Sequence, residues 1–136
     1  MELVSFEIAK KLKGKGFTLP KSEIIGKFDS DGLFHSQLYI NFTETMDLDE
    51  IIAPTISQVL EWLRKVYNLV ICAEIGNEND EGNTDYYNPD RWWWFFDITN
   101  EKGVVIDTEN DYILNEYSSN EEACEAAIKY CLDNLI

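Results

Sequence analysis

The side chains that could do chemistry in this 136-residue sequence are one histidine, three cysteines and a large set of carboxylates. His35 lies on the polar side of an alternating segment and has no partner nearby in the sequence, so we interpret it as a surface residue. The sequence contains no glycine-rich phosphate loop, no GxSxG motif and no HExxH motif. It therefore predicts no catalytic residue and a protein that is not an enzyme, with a two-carboxylate hydrolase left open as a weak alternative.

The three cysteines, Cys72, Cys124 and Cys131, show no CxxC spacing, which favours buried free thiols. Cys124 and Cys131 lie two turns apart on one predicted helix, about 10 Å by helical rise, which is too far for a disulfide. One histidine and three dispersed cysteines cannot assemble a His/Cys metal cluster. We expect no metal site and no cofactor.

Two acidic stretches resemble calcium-binding loops without fulfilling the pattern. In the loop Asn77–Pro89, asparagine occupies the first ligand position, and Asn88 stands where a bidentate acid is required. In the stretch aligned on Gly32, Lys27 occupies the first ligand position. The pattern predicts solvated loops.

Charge is distributed unevenly along the chain, whose net charge is −15. Residues 1–27 hold six lysines and three acids, whereas residues 28–136 hold 5 basic and 23 acidic residues, a net charge of −18. Such a field repels nucleic acid phosphates, so we expect no direct nucleic acid binding. The lysine series of the first helix is interpreted as a solvated face; it comprises Lys10, Lys11, Lys13 and Lys15.

Length and hydropathy predict a single domain over residues 1–136, large enough to fold without a metal or disulfide. No apolar run is long enough to span a bilayer, so we expect no membrane partner. The N-terminal segment lacks the apolar centre of a signal peptide, which makes the cytoplasm the expected location.

The fold is predicted around Pro54–Tyr67, an amphipathic helix that runs directly into a strand, Leu69–Ile75. Its apolar stripe comprises Ile56, Val59, Leu60, Leu63, Val66 and Tyr67. Because Asn68 leaves so short a connection, we expect this helix to pack back across the following strands. Along the strand, Leu69, Ile71, Ala73 and Ile75 share one face, and Val70, Cys72 and Glu74 share the other.

The strongest strand signal is Arg91–Thr99, RWWWFFDIT, which is aromatic on both faces and therefore predicts a central strand. One face carries Trp92, Trp94, Phe96 and Ile98, and the other carries Trp93, Phe95, Asp97 and Thr99. Two alternatives stay open for the second face. Trp93 and Phe95 either lie under another helix of this chain or form an exposed patch for association.

The remaining segments complete an α+β prediction of order α-β-β-α-β-β-β-(β)-α, with an antiparallel sheet and about three helices. The further elements are a helix Phe6–Lys15, a hairpin of Glu23–Asp29 and Leu33–Phe42, strands Val104–Asp107 and Tyr112–Tyr117, and a last helix that begins at Ser118 or Ser119.

Two segments resemble a known group of proteins. The pattern Ala53-Pro54-Thr55-x-x-Gln58-x-x-x-Trp62-Leu63-Arg64, followed by a short strand, resembles a motif of small acidic proteins of phages and mobile elements of gut anaerobes. The ending, from Glu121 to Leu132, is similar to the acidic C-terminal helix of that family. This resemblance implies a phage-related origin and carries over no site residues.

Two functional hypotheses follow for this chain. The first is a non-enzymatic interaction module with a protein partner, able to form a homo-oligomer through Trp93 and Phe95. The alternative is an inhibitor whose acidic surface imitates DNA and occupies a nucleic-acid-binding protein of the host.

Overall fold

The computed structural model describes residues 2–36, 50–77, 92–107 and 117–136. The mixed α+β class and the predicted order of elements are confirmed. In chain order these are α1 (Phe6–Gly14), β1 (Gly26–Phe28), β2 (Phe34–Ser36), β3 (Ile51–Ile52), α2 (Ile56–Tyr67), β4 (Val70–Asn77), β5 (Trp92–Asn100), β6 (Gly103–Asp107) and α3 (Asn120–Tyr130).

The strands form two antiparallel sheets of three strands each, with orders β2-β1-β3 and β4-β5-β6. The predicted hairpin is present, with Phe28 opposite Phe34; residues 37–42 of its second strand lie outside the described residues. β3 was not predicted, because it is two residues long and follows an acidic connection. β5 is the central strand of the second sheet, as its two aromatic faces predicted.

α1 begins and ends as predicted. The Ser5 hydroxyl accepts a hydrogen bond from the Ile8 N–H at 3.3 Å, an N-cap. After the helix, Gly16 has φ +82°, a conformation that glycine adopts at little cost. Phe17 then folds back, donating its N–H to the Leu12 carbonyl at 3.0 Å. The helix buries Ile8, Ala9 and Leu12.

α2 begins two residues later than its first proline suggested, because Thr55 is its N-cap. The Thr55 hydroxyl accepts from the Gln58 N–H at 3.1 Å, and the Gln58 side chain accepts from the Thr55 N–H at 3.0 Å. Asn68 ends the helix with φ 54°, as predicted. Val66, predicted in the buried stripe, is 57% exposed, so the stripe is narrower than its spacing suggested.

α3 is the helix that covers the tryptophan-rich strand. It packs against both β4 and β5, whereas α2 contacts β4 and α3. The predicted packing of α2 back onto β4 is confirmed, and the cover of β5 comes mainly from α3. The small side chains of α3 allow this close approach, and one core cluster joins it to both sheets and to α1 and α2. Its fully buried members include Phe96, Ile98, Ala127, Ile128 and Cys131.

Candidate interaction surface

The sheet β4-β5-β6 has two chemically different faces. Toward the core, Ile71 lies opposite Ile98 and Ala73 lies opposite Phe96. Both β5 residues of these pairs are 0% exposed, and Phe96 also stacks near Tyr117, with ring centroids 5.9 Å apart. This face is occupied by the protein's own core.

We call the opposite side of this sheet the outer face. Its pairs between β4 and β5 are Val70 with Thr99, Cys72 with Asp97, and Glu74 with Phe95. A bulge at Ile98/Thr99 then sets Val104 opposite Thr99. The described residues of the outer face are Val70, Cys72, Glu74, Trp93, Phe95, Asp97, Thr99 and Val104. Val70 is 40% exposed and Val104 is 64% exposed, on either side of Thr99, so exposed apolar surface adjoins the rows that carry Asp97 and Glu74.

Trp93 and Phe95 both lie on the outer face, but neither is a large exposed hydrophobic side chain. Phe95 is 8% exposed and Trp93 is half-buried. Phe95 is also not a member of the core cluster that contains Phe96, its neighbour on the other face. Their role in association stays a prediction. The exposed valines beside them were missed, although strand alternation had already placed Val70 on this face.

β4 forms one edge of this sheet in the described part of the chain. It pairs with β5 without interruption from Val70 opposite Thr99 to Asn77 opposite Trp92. Among the residues that the structure describes, no strand pairs with the other side of β4. Ile75 is 44% exposed at its far end, although it shares the inward face with buried residues.

The cysteines are free thiols, but only two of them are buried. Cys124 and Cys131 are buried as predicted, whereas Cys72 is exposed, because its side chain belongs to the outer face. Desolvation, followed by the charges of Asp97 and Glu74, raises the pKa of the Cys72 thiol. A raised pKa opposes the thiolate, so this position is a poor nucleophile.

His35 is exposed as predicted, but it has a partner. Its Nε2 lies 2.8 Å from Asp29 Oδ2. Asp29 Oδ1 accepts hydrogen bonds from the N–H groups of Asp31 and Leu33, so Asp29 organises the β1–β2 turn. The hydrogen bond with His35, then that from Leu33, lowers the pKa of Asp29. The histidine therefore has a structural contact in the hairpin.

The α1 lysines are engaged within the protein. Lys11 pairs with Asp133 at 2.5 Å, and Lys15 Nζ donates to the main-chain oxygen of Ile136 at 2.7 Å. Lys13 donates to the Glu50 carbonyl at 3.1 Å. Lys10, Lys13 and Lys15 are exposed, as the interpretation of a solvated face predicted. The individual contacts were not predicted, because contacts more than 30 residues apart in the chain cannot be deduced from helical spacing.

An open cleft of about 200 Å³ lies between α1 and α3, lined by Ser5, Glu7, Ile8, Tyr117, Glu122, Glu125, Ala126 and Lys129. Two of its carboxylates hold local structure: Glu125 accepts from the Ser5 N–H at 3.0 Å, and Glu122 accepts from Ser118. The volume is below the range of about 300–1,000 Å³ typical of small-molecule sites.

The calcium-like stretches are only partly described. Residues 78–89 of the first lie outside the described residues. In the second, Lys27 forms a salt bridge with Glu50. Within the ranges given above, no group of three or more His, Cys, Asp or Glu side chains is placed to hold a metal ion.

Comparison with known proteins returned no matching family model, no matching curated protein and no matching solved structure. The resemblance to phage and mobile-element proteins therefore stays a prediction. None of the described helices combines the length and apolarity needed to cross a membrane.

Proposed function

We propose that the protein is a non-enzymatic interaction module that binds a basic protein partner through the outer face of the sheet β4-β5-β6. Within the described part of the chain, Asp29 holds a turn and Glu122 holds the start of a helix, so these carboxylates have structural roles. A phage or mobile-element origin is part of this proposal and rests on the resemblance alone.

The observation that carries the proposal is the composition of the outer face. Val70 and Val104 expose 40% and 64% of their surface on either side of Thr99, and Cys72, Asp97 and Glu74 lie in the next two rows of the same face. Covering the valines would remove apolar area from water, at roughly 25 cal/mol per Å². The acids in the adjoining rows select a partner with lysine or arginine at the matching positions.

Affinity capture from a lysate of the source cells tests the proposal with three baits. These are the wild type, Val70→Ser/Val104→Ser and, as a matched control, Val66→Ser, whose valine is 57% exposed on α2. A basic protein identified by mass spectrometry with the wild type and the control, and lost with the double variant, is the expected result. Retention of every captured protein by the double variant would contradict the proposal.

The DNA-imitating inhibitor is a second candidate, favoured by the internal engagement of the α1 lysines. Because Lys11 and Lys15 contact Asp133 and the main-chain oxygen of Ile136, these lysines do not form a separate basic patch on a protein whose net charge is −15. An inhibitor of this kind displaces DNA from the captured protein in a competition assay. Binding of the partner and DNA together would exclude it.

A further inference from the structure

The outer edge of β4 has the features of a strand-addition site. In an antiparallel pair, alternate residues direct their N–H and C=O groups away from the neighbouring strand. β4 is eight residues long, or about 27 Å at the usual rise per residue, and it is the last described strand on its side of the sheet.

Natural edge strands are usually protected by lysines, prolines or bulges. β4 contains no proline and no lysine, and its register with β5 is uninterrupted over all eight residues. Glu74 is its single charged residue. The opposite edge strand, β6, is shorter and pairs with β5 across a bulge. Of the two edges, the β4 edge is therefore better suited to pair with an added strand.

The side chains along β4 define what an added strand would meet. On the inward side, Ile71 and Ala73 pack against the core while Ile75 is 44% exposed. On the outer side, Glu74 is exposed and Asp97 lies opposite Cys72 on the next strand. One face of the incoming strand would thus contact aliphatic surface, and the other would contact Glu74, with Asp97 one strand further into the sheet.

We propose that the β4 edge binds an extended segment of the partner as an added strand, with lysine or arginine on one face and aliphatic side chains on the other. The inference rests on the proposed function and specifies its binding mode. Charge complementarity selects this occupant, because a second copy would bring another Glu74 and a net charge of −15 to the same edge.

Hydrogen exchange of the backbone amides, measured by NMR, tests the added strand with an eight-residue peptide of alternating lysine and valine. We expect every second amide between Val70 and Asn77 to exchange at least about tenfold more slowly with the peptide bound. The amides between them and those of β6 should change less than about twofold. Uniform slowing, or no slowing within β4, would overturn the proposal.

Two peptides control for charge and pattern. A peptide of alternating glutamate and valine should not bind, and one with four lysines followed by four valines should give no alternating protection. Equal binding of the glutamate peptide would overturn the charge preference. Alternating protection without any peptide, together with a dimer in light scattering, would assign the edge to a second copy and also overturn it.

Two charge-reversal variants with the same net charge test the position of contact. Glu74→Lys should weaken binding of the lysine–valine peptide about tenfold, because it places a like charge beside the added strand. Glu101→Lys, in the β5–β6 turn, should weaken it less than about twofold. Equal weakening would indicate a general charge effect and would contradict contact at β4.

The outcomes separate this inference from the proposed function. If Val70→Ser/Val104→Ser loses the captured partner and β4 shows no alternating protection, the proposed interaction module is supported and strand addition is excluded. If that variant still captures the partner and β4 shows alternating protection, binding at the β4 edge is supported and the outer face is excluded as the docking surface.

Discussion

Lys11 Nζ lies 2.5 Å from Asp133 Oδ1 and so joins the first helix to the π-helical turn that follows α3. Two further contacts also join the first helix to the C-terminal helical segment. Lys15 reaches the main-chain oxygen of Ile136, and Glu125 accepts from the Ser5 N–H at the start of α1. The lysine-rich helix thus contacts both α3, at Glu125, and the π-helical turn that follows it, at Asp133.

Lys11→Ala should lower the free energy of unfolding by less than about 1 kcal/mol, because both partners of this ion pair are about one-third exposed and screened by solvent. Urea denaturation at low and high salt measures the effect, which should shrink at high salt. Lys21→Ala, which removes the same charge from the turn after α1, is the control. A larger loss for Lys21→Ala would contradict a specific contact.

Thr55→Ala should lower the free energy of unfolding by about 1–2 kcal/mol, since it removes the hydroxyl of the capping box. Thr55→Ser keeps the hydroxyl and should recover most of this loss. Ser57→Ala, on the exposed side of α2, serves as the control and should change stability by less than about 0.5 kcal/mol. Chemical denaturation midpoints rank the stabilities of these variants. Equal losses of stability in Thr55→Ala and Thr55→Ser would contradict the role of the hydroxyl as a cap.

Gly26→Ala should destabilise the first sheet by about 1–3 kcal/mol, because an added Cβ would lie 2.6 Å from the His35 carbonyl oxygen and would also meet the Phe34 ring. Gly14→Ala is the matched control, since no atom lies within 4 Å of its added Cβ. At the end of α1 it should stabilise by about 0.5–1 kcal/mol. Thermal unfolding of the two variants should therefore shift in opposite directions.

Asp29 should contribute stability that depends on pH. The hydrogen bond with His35 and that from the Leu33 N–H hold its pKa below the ordinary value of 3.8. Its contribution is therefore present above pH 3.8 and is lost as the pH falls through the lowered, folded-state pKa. The stability difference between wild type and Asp29→Asn, from urea denaturation at several pH values, should shrink in that acid range. A difference that grows on acidification would contradict this linkage.

The three thiols should differ in their rate of alkylation. Cys72 is exposed and should react first with iodoacetamide, though more slowly than free cysteine because its pKa is raised. Burial raises the pKa of Cys131 to about 12, so it should react only on unfolding. Mass spectrometry of native and urea-treated protein gives the order. Glu74→Gln should accelerate Cys72, and modification of Cys131 before Cys72 would contradict the structure.

Local patterns in the sequence predicted the elements well. Ser5, Asn68 and Ser119 were identified as helix ends because each acts through its own hydroxyl or backbone conformation within a few residues. Alternation in the tryptophan-rich segment likewise separated the buried Phe96 and Ile98 from the outer face. These features depend on short-range stereochemistry, which composition and spacing express directly.

Relationships between distant segments were not predictable in this way. The choice of α3 over α2 as the cover of β5, the partner of Lys11, and the division of the strands into two sheets all depend on packing. The exposure of Cys72 has the same origin, because alternation assigns a residue to a face without saying what covers that face. The candidate surface accordingly emerged from the structure, at Val70, Val104 and the edge of β4.

The position of α3 in the chain also determines when the fold can form. Phe96 and Ile98 reach zero exposure only beneath Ala127, Ile128 and Cys131, which are synthesised some 30 residues later. Until α3 has left the ribosome, the inward face of the aromatic strand lacks the part of its cover that α3 provides. The docking of α3 onto β4 and β5 can therefore take place only after both strands have been synthesised.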